Sequence, residues 1–74
     1  MNYKFMSIKN TVLFLIKSEG EVAIDEIRNL ADEIHHKQSC LERRCRELTN
    51  QGLIEPIRAR TKEGVVYVSG YRAL

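Results

Sequence analysis

Apolar residues recur at helical spacing in three successive segments of this chain before the pattern changes to that of β-strands. After Ser7, one helical face carries Ile8, Val12, Leu15 and Ile16. A second stripe consists of Ile24, Ile27, Leu30, Ala31 and Ile34. A third segment, from Lys37 to Gln51, places Leu41, Cys45 and Leu48 on one face. The sequence therefore predicts three amphipathic helices.

Residues with strong positional preferences mark the ends of these helices. The Ser7 hydroxyl can cap the first helix, with Asn10 as a competing start, and Gly20 can end it. Asp25 and Glu26 lie in the first turn of the second helix, where the helix dipole favours negative charge. Gly52 can end the third helix.

The last third of the chain has the composition of strands and turns. Residues 53–57 predict a strand, and the single proline there has no N–H to donate, which indicates a sheet edge or a strand end. Residues 58–64 predict a loop, and residues 65–68 predict a strand that returns antiparallel to the first. A Ser-Gly pair is then expected to turn the chain into a C-terminal tail, residues 69–74. Residues 21–23 predict a short extended bridge between the first two helices.

A chain of 74 residues can build one small hydrophobic core, so we expect a single domain over residues 1–74. Residues 1–6 predict an N-terminal arm that carries Tyr3 and Phe5. Leu13 and Phe14 lie off the main apolar face of the first helix, which is therefore apolar nearly all round. This apolar surplus predicts a homodimer formed through the first helix and the arm.

The sequence predicts a cytoplasmic protein without a membrane segment. The longest unbroken apolar run, Val12 to Ile16, is far shorter than the roughly 20 residues that cross a bilayer. The N-terminus lacks the pattern of a secretory leader. Cys40 and Cys45 lie five positions apart on one predicted helix, so their side chains diverge by roughly 140° and cannot bridge each other. We expect both to be reduced thiols.

The formal net charge of +2 hides an asymmetry along the chain. Residues 1–34 carry four basic and six acidic residues, whereas residues 35–74 carry eight basic and four acidic residues. A basic half on a nearly neutral protein favours an anionic partner, of which nucleic acid is the commonest. A solvated surface that is rich in arginine is the alternative interpretation.

The stretch LADEIHHKQSCLERRCRELTNQGLI, residues 30–54, resembles the winged helix-turn-helix domain of bacterial and phage transcriptional regulators. Its apolar residues fall at the inward positions of the family's second and third helices, and Gly52, Leu53 and Ile54 match the exit from the third helix. The arginine-rich loop before residues 65–68 resembles the wing. Over roughly residues 8–68, the resemblance implies an α+β fold with three helices followed by a two-stranded β-hairpin wing.

The turn between the second and third helices departs from the family pattern, which has a glycine, an apolar residue and a serine or threonine cap. Here these positions hold His35, His36 and Lys37. The resemblance implies a left-handed backbone at His35 and an apolar socket around His36. Lys37 has no side-chain oxygen to cap the helix, so the third helix either starts nearer Ser39 or has Lys37 beside a phosphate.

The third predicted helix carries polar groups opposite its core face. Advancing 100° per residue from Leu41 places Ser39, Arg43, Arg46 and Asn50 on the far side. The resemblance implies that this helix enters the major groove of DNA, with base contacts from Gln38, Ser39, Glu42 and Arg43 and phosphate contacts from Lys37 and Arg46. Arg44 falls on the core flank, where it is expected to pair with an acidic residue of the second helix.

Basic residues also alternate in the predicted wing. Arg58, Arg60 and Lys62 would point the same way if this segment were extended, which suits contact with the phosphate backbone or the minor groove. A solubilising hairpin tip is the alternative.

We expect no catalytic activity, no metal and no cofactor. His36 and Cys40 have the spacing of a shared ion site, but Cys45 points elsewhere and no second ligand pair follows. Nor does the sequence contain a catalytic constellation. The leading hypothesis is a sequence-specific double-stranded DNA-binding protein that acts as a small transcriptional regulator of bacterial, phage or mobile-element origin. A winged-helix adaptor that binds an acidic protein, with no DNA contact, is the alternative.

Overall fold

The fold was obtained as a computed structural model that describes residues 7–74. Three helices pack with a three-stranded antiparallel sheet of strand order β1-β3-β2. The elements are α1 (Ile8–Glu19), β1 (Glu21–Ala23), α2 (Ile24–Glu33), α3 (Gln38–Asn50), β2 (Ile54–Arg60) and β3 (Val66–Ala73). The predicted α+β class with three helices is confirmed. The predicted arm with Tyr3 and Phe5 lies outside the described residues.

The predicted two-stranded sheet was wrong, because the segment expected to be a bridge forms a third strand. In β1, Glu21 pairs with Arg72 and Ala23 pairs with Gly70. The Ser69-Gly70 turn and the C-terminal tail were also wrong, since β3 runs through these residues to Ala73. The cause is tertiary: β1 gives the end of β3 a second hydrogen-bonding partner, which no local pattern reveals.

The hairpin of β2 and β3 is longer than the sequence pattern indicated. The predicted loop begins three residues too early, since Arg58 and Arg60 pair with Val68 and Val66 inside the sheet. The register shifts between Ile57 and Arg58, and the Ser69 hydroxyl there donates to the Ile57 carbonyl at 3.2 Å. The expected edge position of the proline strand is confirmed, because β2 lies at one edge of the sheet.

Helix α1 begins and ends where its capping residues predicted. The Asn10 N–H donates to the Ser7 hydroxyl at 3.1 Å, and the Gly20 N–H donates to the Ile16 carbonyl at 2.7 Å. Of the two apolar residues that lie off the main face of α1, Leu13 is partly buried against the core. Phe14 remains 39% exposed. Helix α1, like the other helices between residues 7 and 74, lacks the length and hydropathy to cross a membrane.

The core lies between the three helices and the inner face of the sheet. Helix α3 is central to it, because three of its residues are completely buried. The buried apolar residues are Val12, Ile16, Val22, Ile27, Leu30, Ala31, Leu41, Cys45, Leu48, Ile54 and Tyr71. The predicted inward stripes of α2 and α3 are thus confirmed, with Ile24 and Ile34 at the margin.

Helices α2 and α3 end in the same hydrogen-bonded motif. After α3, the N–H groups of Gly52 and Leu53 donate to the carbonyls of Thr49 and Leu48 at 3.0 and 3.1 Å. After α2, the N–H groups of His35 and His36 donate to earlier carbonyls in the same pattern. The motif needs a left-handed residue, which is Gly52 with φ of +76° in one case and His35 with φ of +59° in the other.

The left-handed backbone at His35 is confirmed, but the apolar socket around His36 was wrong, since both histidines are exposed. Helix α3 starts at Gln38 and does not slip to Ser39. As expected, Lys37 at its N-cap makes no side-chain capping bond. The turn therefore stores strain at His35 that a glycine would relieve.

Replacing His35 by glycine is expected to stabilise the protein by about 0.5–1 kcal/mol. Left-handed backbone costs a side-chain-bearing residue roughly 1–2 kcal/mol, and the extra freedom of glycine in the unfolded chain offsets part of the gain. Urea unfolding of the two proteins measures the difference. Gly52→Ala is the matched reverse change, because φ is also positive there and a Cβ would meet no atom within 4 Å. A loss of stability in His35→Gly would show instead that the imidazole makes a stabilising contact.

Candidate nucleic-acid interface

The polar side of α3 opposite its buried residues lies on the protein surface. Ser39, Arg43, Arg46 and Asn50, here called the outer face of α3, are all exposed. Their spacing of four, three and four residues places them along one side of the helix. The other predicted site residues of α3 lie near its start, where Lys37 and Gln38 are exposed and Glu42 is half-buried.

A groove joins the outer face of α3 to the hairpin. It has a volume of about 240 Å³ and is lined by Arg46, Thr49, Asn50, Pro56, Arg58, Val68 and Tyr71. The helix contributes Arg46 to this groove and the hairpin contributes Arg58. Two basic residues that are twelve positions apart in the chain therefore border one depression.

The pairing of the strands extends this surface along the hairpin. Arg58 lies opposite Val68, and Arg60 lies opposite Val66. Because side chains alternate between the faces of a strand, Arg58 and Arg60 project from the same face of the hairpin. The predicted common direction of these two arginines is therefore confirmed. Lys62 is exposed in the turn beyond β2, where strand alternation no longer fixes its direction.

A second groove borders the other side of Arg46. Its volume is about 250 Å³, and its lining consists of Ile24, Arg28, Glu42, Arg46, Val68 and Tyr71. Arg28 was not among the predicted site residues. It lies one helical turn after Ile24, at the margin of the inward stripe of α2. This position is the feature of the sequence that could have indicated its place beside α3. Its guanidinium lies 3.5 Å from the Asp25 carboxylate.

Tyr71 is common to both grooves and, like Arg28, was not among the predicted site residues. It is buried in β3, directly opposite Pro56 of β2. Burial raises the pKa of the Tyr71 phenol, Cys45 and Glu42 add to the rise, and Arg46 opposes it. The phenol therefore remains protonated and uncharged at neutral pH. It lines the groove that Arg46 of α3 and Arg58 of the hairpin also line.

Three arginines of residues 7–74 are held in ion pairs, and none of them is a predicted site residue. Arg28 pairs with Asp25, Arg72 pairs with Glu55 at 2.9 Å, and Arg44 pairs with Glu47 at 2.9 Å. The expected partner of Arg44 on α2 was wrong, because Glu47 of its own helix lies three residues away. The Arg44 side chain is only 27% exposed, which agrees with its predicted position on the core flank of α3.

The predicted site cations make no such pairs within the described part of the chain. None of the following forms an ion pair with any carboxylate of residues 7–74: Lys37, Arg43, Arg46, Arg58, Arg60 and Lys62. Arg43, Arg46, Arg58 and Arg60 are exposed on α3 and the hairpin. Unneutralised guanidinium groups on one surface attract an anionic partner.

The two cysteines are free thiols in different surroundings. Cys45 is completely buried, and burial together with the nearby charge of Glu42 raises the pKa of its thiol to about 12. Cys40 is half-buried near the start of α3. Among residues 7–74, no three histidine, cysteine or carboxylate side chains are grouped so that they could hold a metal ion.

No protein-family model matches the chain, and no curated protein or solved structure matches it either. The function is therefore inferred from the geometry and charge of the surface formed by α3 and the hairpin.

Proposed function

We propose that this chain is a winged helix-turn-helix protein that binds double-stranded DNA in a sequence-specific manner and acts as a small transcriptional regulator. The observation that carries the proposal is the groove shared by Arg46 of α3 and Arg58 of β2. It lies within a surface whose cations have no ion-pair partner among residues 7–74. Such a surface combines a helix of suitable size with charge that complements phosphate.

In this proposal, α3 lies in the major groove of DNA. The groove is about 12 Å wide and admits an α-helix, whose diameter with side chains is about 10–12 Å. Base edges are read by the first half of the helix, through Gln38, Ser39, Glu42 and Arg43. Arginine can donate two hydrogen bonds to guanine, glutamine can pair with adenine, and glutamate can accept from cytosine. Lys37 and Arg46 contact phosphates.

The hairpin contacts the DNA beside the major groove. Arg58 and Arg60 project from the face of the hairpin that borders α3, so both can reach the backbone that flanks the groove. Lys62 in the turn extends this contact. These residues supply affinity that does not depend on sequence.

The proposed regulator works as a two-fold dimer, because a single module of this size makes few base contacts. Two half-sites then lie about one helical turn apart. In the described part of the chain, Phe14 is the large apolar residue of α1 that remains available for this contact. A dimer in solution that Phe14→Ser dissociates would support this arrangement, and a monomeric protein would contradict it.

Two arginine variants test the division of roles between α3 and the hairpin. Selection from a random duplex pool first identifies a preferred site. Arg43→Ala is then expected to weaken binding to that site about 5- to 150-fold, the equivalent of about 1–3 kcal/mol, and to relax the preference at one base pair. Arg60→Ala is expected to weaken preferred and random duplexes alike, because phosphate contacts carry no sequence information. Fluorescence anisotropy on both duplexes measures the two effects.

The same measurements separate DNA binding from the adaptor function. Equal behaviour of the two variants would contradict the assignment of base reading to α3. A wild-type protein that fails to bind any duplex at low salt would contradict DNA binding itself and favour an acidic protein partner for this surface.

A further inference from the structure

The second groove, which lies between α2, α3 and β3, has a volume of about 250 Å³. The proposed DNA contacts use two of its residues, Glu42 and Arg46, and leave its other groups without a role. A water molecule occupies about 30 Å³ in the liquid, so the groove has room for about eight waters or for a ligand with a similar number of non-hydrogen atoms. Small amino acids and short carboxylic acids have this size.

Charged groups of both signs border the second groove. Arg28 and Arg46 contribute guanidinium groups from α2 and α3, and Glu42 contributes a carboxylate. Glu42 and Arg46 are four positions apart on α3, a spacing that favours an ion pair, yet neither forms one with any residue between 7 and 74. Glu42 is half-buried, so its carboxylate is partly withdrawn from water. The groove therefore offers one positive and one negative group that the described chain does not neutralise.

Arg28 is held only weakly by its own partner. Its guanidinium lies 3.5 Å from the Asp25 carboxylate, and the two side chains are 48% and 81% exposed. Because so exposed an ion pair contributes little, a ligand carboxylate can replace Asp25. With Asp25 included, two guanidinium groups and two carboxylates surround the groove. A simple anion such as phosphate would meet as much negative as positive charge there, whereas a zwitterion matches the separated charges.

Apolar side chains form the remaining walls of the groove. Ile24 of α2 and Val68 of β3 line it, and both are half-buried. Tyr71 adds its ring and a hydroxyl that makes no hydrogen bond within residues 7–74. This hydroxyl is a neutral donor that a carboxylate can accept from. An aliphatic side chain on the ligand would cover Ile24 and Val68 and remove their apolar surface from water.

We propose that the second groove binds a free α-amino acid with a small aliphatic side chain, such as valine or leucine. Arg28 and Arg46 donate to its carboxylate, Glu42 accepts from its ammonium group, and its side chain packs against Ile24 and Val68. Because Glu42 and Arg46 are also proposed DNA contacts, the bound amino acid withdraws both from DNA and weakens DNA binding. Only this effect on DNA rests on the proposed function, since the site itself exists without it.

Titrations without DNA test the site. The amide NMR shifts of the protein are followed as leucine or one of its analogues is added. We expect leucine to bind with a Kd of about 0.1–1 mM, as suits about nine non-hydrogen atoms in an open groove. Glycine lacks the aliphatic side chain, isocaproate lacks the ammonium group, and inorganic phosphate lacks both. Each of these is expected to bind at least about tenfold more weakly than leucine.

Three variants assign the binding to this groove. Arg28→Gln is expected to weaken leucine binding at least about tenfold. Arg72→Gln is the matched control and should keep the wild-type Kd, because Arg72 is likewise ion-paired and 49% exposed but projects from the opposite face of the sheet. Glu42→Gln should bind isocaproate as tightly as leucine. Such a change of ligand preference cannot result from misfolding, so it tests the site independently of stability.

Anisotropy measurements on the selected duplex test the effect on DNA. Saturating leucine is expected to weaken wild-type binding to the duplex about tenfold or more, because a phosphate contact and a base contact are lost together. Arg28→Gln changes no proposed DNA contact. We therefore expect this variant to bind the duplex as the wild type does and not to respond to leucine.

Each possible failure refutes a different statement. If no aliphatic amino acid binds in the millimolar range, the site is refuted and the proposed DNA binding is unaffected. Phosphate that binds as tightly as leucine would show an anion site and refute the zwitterion. Leucine that binds without changing the affinity for the duplex would refute the effect on DNA. A wild-type protein that binds leucine but no duplex at low salt would refute the proposed function and leave the amino-acid site standing.

Discussion

Replacing Gly70 by alanine is expected to destabilise the protein by about 2–3 kcal/mol, which is a large part of the roughly 4–11 kcal/mol expected for a chain of this length. A Cβ at this position would overlap the Val22 carbonyl oxygen and lie 3.1 Å from the Ala23 Cα. Both atoms belong to backbone that pairs with β3, so the clash is relieved only if β1 separates from the sheet. Urea unfolding followed by circular dichroism measures the loss, and amide exchange at Val22 and Ala23 locates it.

Gly64→Ala provides the comparison for this change. Gly64 has positive φ, and a Cβ there would meet no atom within 4 Å. The substitution therefore strains one residue of the hairpin turn at a cost of about 1 kcal/mol, without a steric clash. If Gly70→Ala were no more destabilising than Gly64→Ala, the close packing of β1 against β3 would be refuted, and with it the three-stranded sheet.

Raising the NaCl concentration from about 50 to about 200 mM is expected to weaken DNA binding roughly 1,000-fold for each bound protomer. Each protomer brings six cations to the proposed interface: Lys37, Arg43, Arg46, Arg58, Arg60 and Lys62. If all six neutralise phosphates, counterion release gives a log–log slope of roughly −5 per protomer. The large slope follows from their freedom from ion pairs within residues 7–74, because a cation that must first leave a carboxylate contributes less. Anisotropy titrations at four or five salt concentrations measure it.

Arg72→Gln is the matched control for the salt dependence. Arg72 is paired with Glu55 and follows Tyr71 in β3, so it projects from the face of the sheet opposite the one that borders α3. Its loss should leave the slope unchanged, whereas Arg60→Ala should reduce the magnitude of the slope by about one. A slope near zero for the wild type would show that phosphates are not the ligands of this surface. A reduced slope in Arg72→Gln would show that DNA contacts the face of the sheet that points away from α3.

The helices were predictable because their signals are local. Helix capping involves residues only three or four positions apart, so the cap at Ser7 and the lack of a side-chain cap at Lys37 could both be predicted. The apolar stripe at helical spacing likewise predicts the buried face of α3. Exposure of Ser39, Arg43, Arg46 and Asn50 follows from the burial of Leu41, since the helix leaves no other direction for them. The left-handed His35 was likewise predicted, from the resemblance to a family that has a glycine at that position.

The strands and the ion pairs were less predictable because their partners are distant in sequence. Nothing within residues 69–74 signals that Gly70 faces Ala23, some forty-seven positions earlier, so a Ser-Gly pair suggested a turn. Arg44 was expected to pair with an acidic residue of α2 because the helical spacing placed Arg44 on the core flank. The spacing does not show which carboxylate lies within reach, and that carboxylate is Glu47 of α3. Tyr71 and Arg28 were missed for the same reason, since each enters the site only when β3 and α2 pack beside α3.

The amino-acid sequence by itself determined the three helices, the ends of α1 and the polar side of α3, because each depends on interactions that span a few residues. Only the tertiary structure decided that a third strand completes the sheet and that Arg46 and Arg58 share a groove. It also decided which cations are paired and which are not. These features depend on contacts between segments that are brought together by burial of a common core, and the energy of such contacts is not encoded in any one segment.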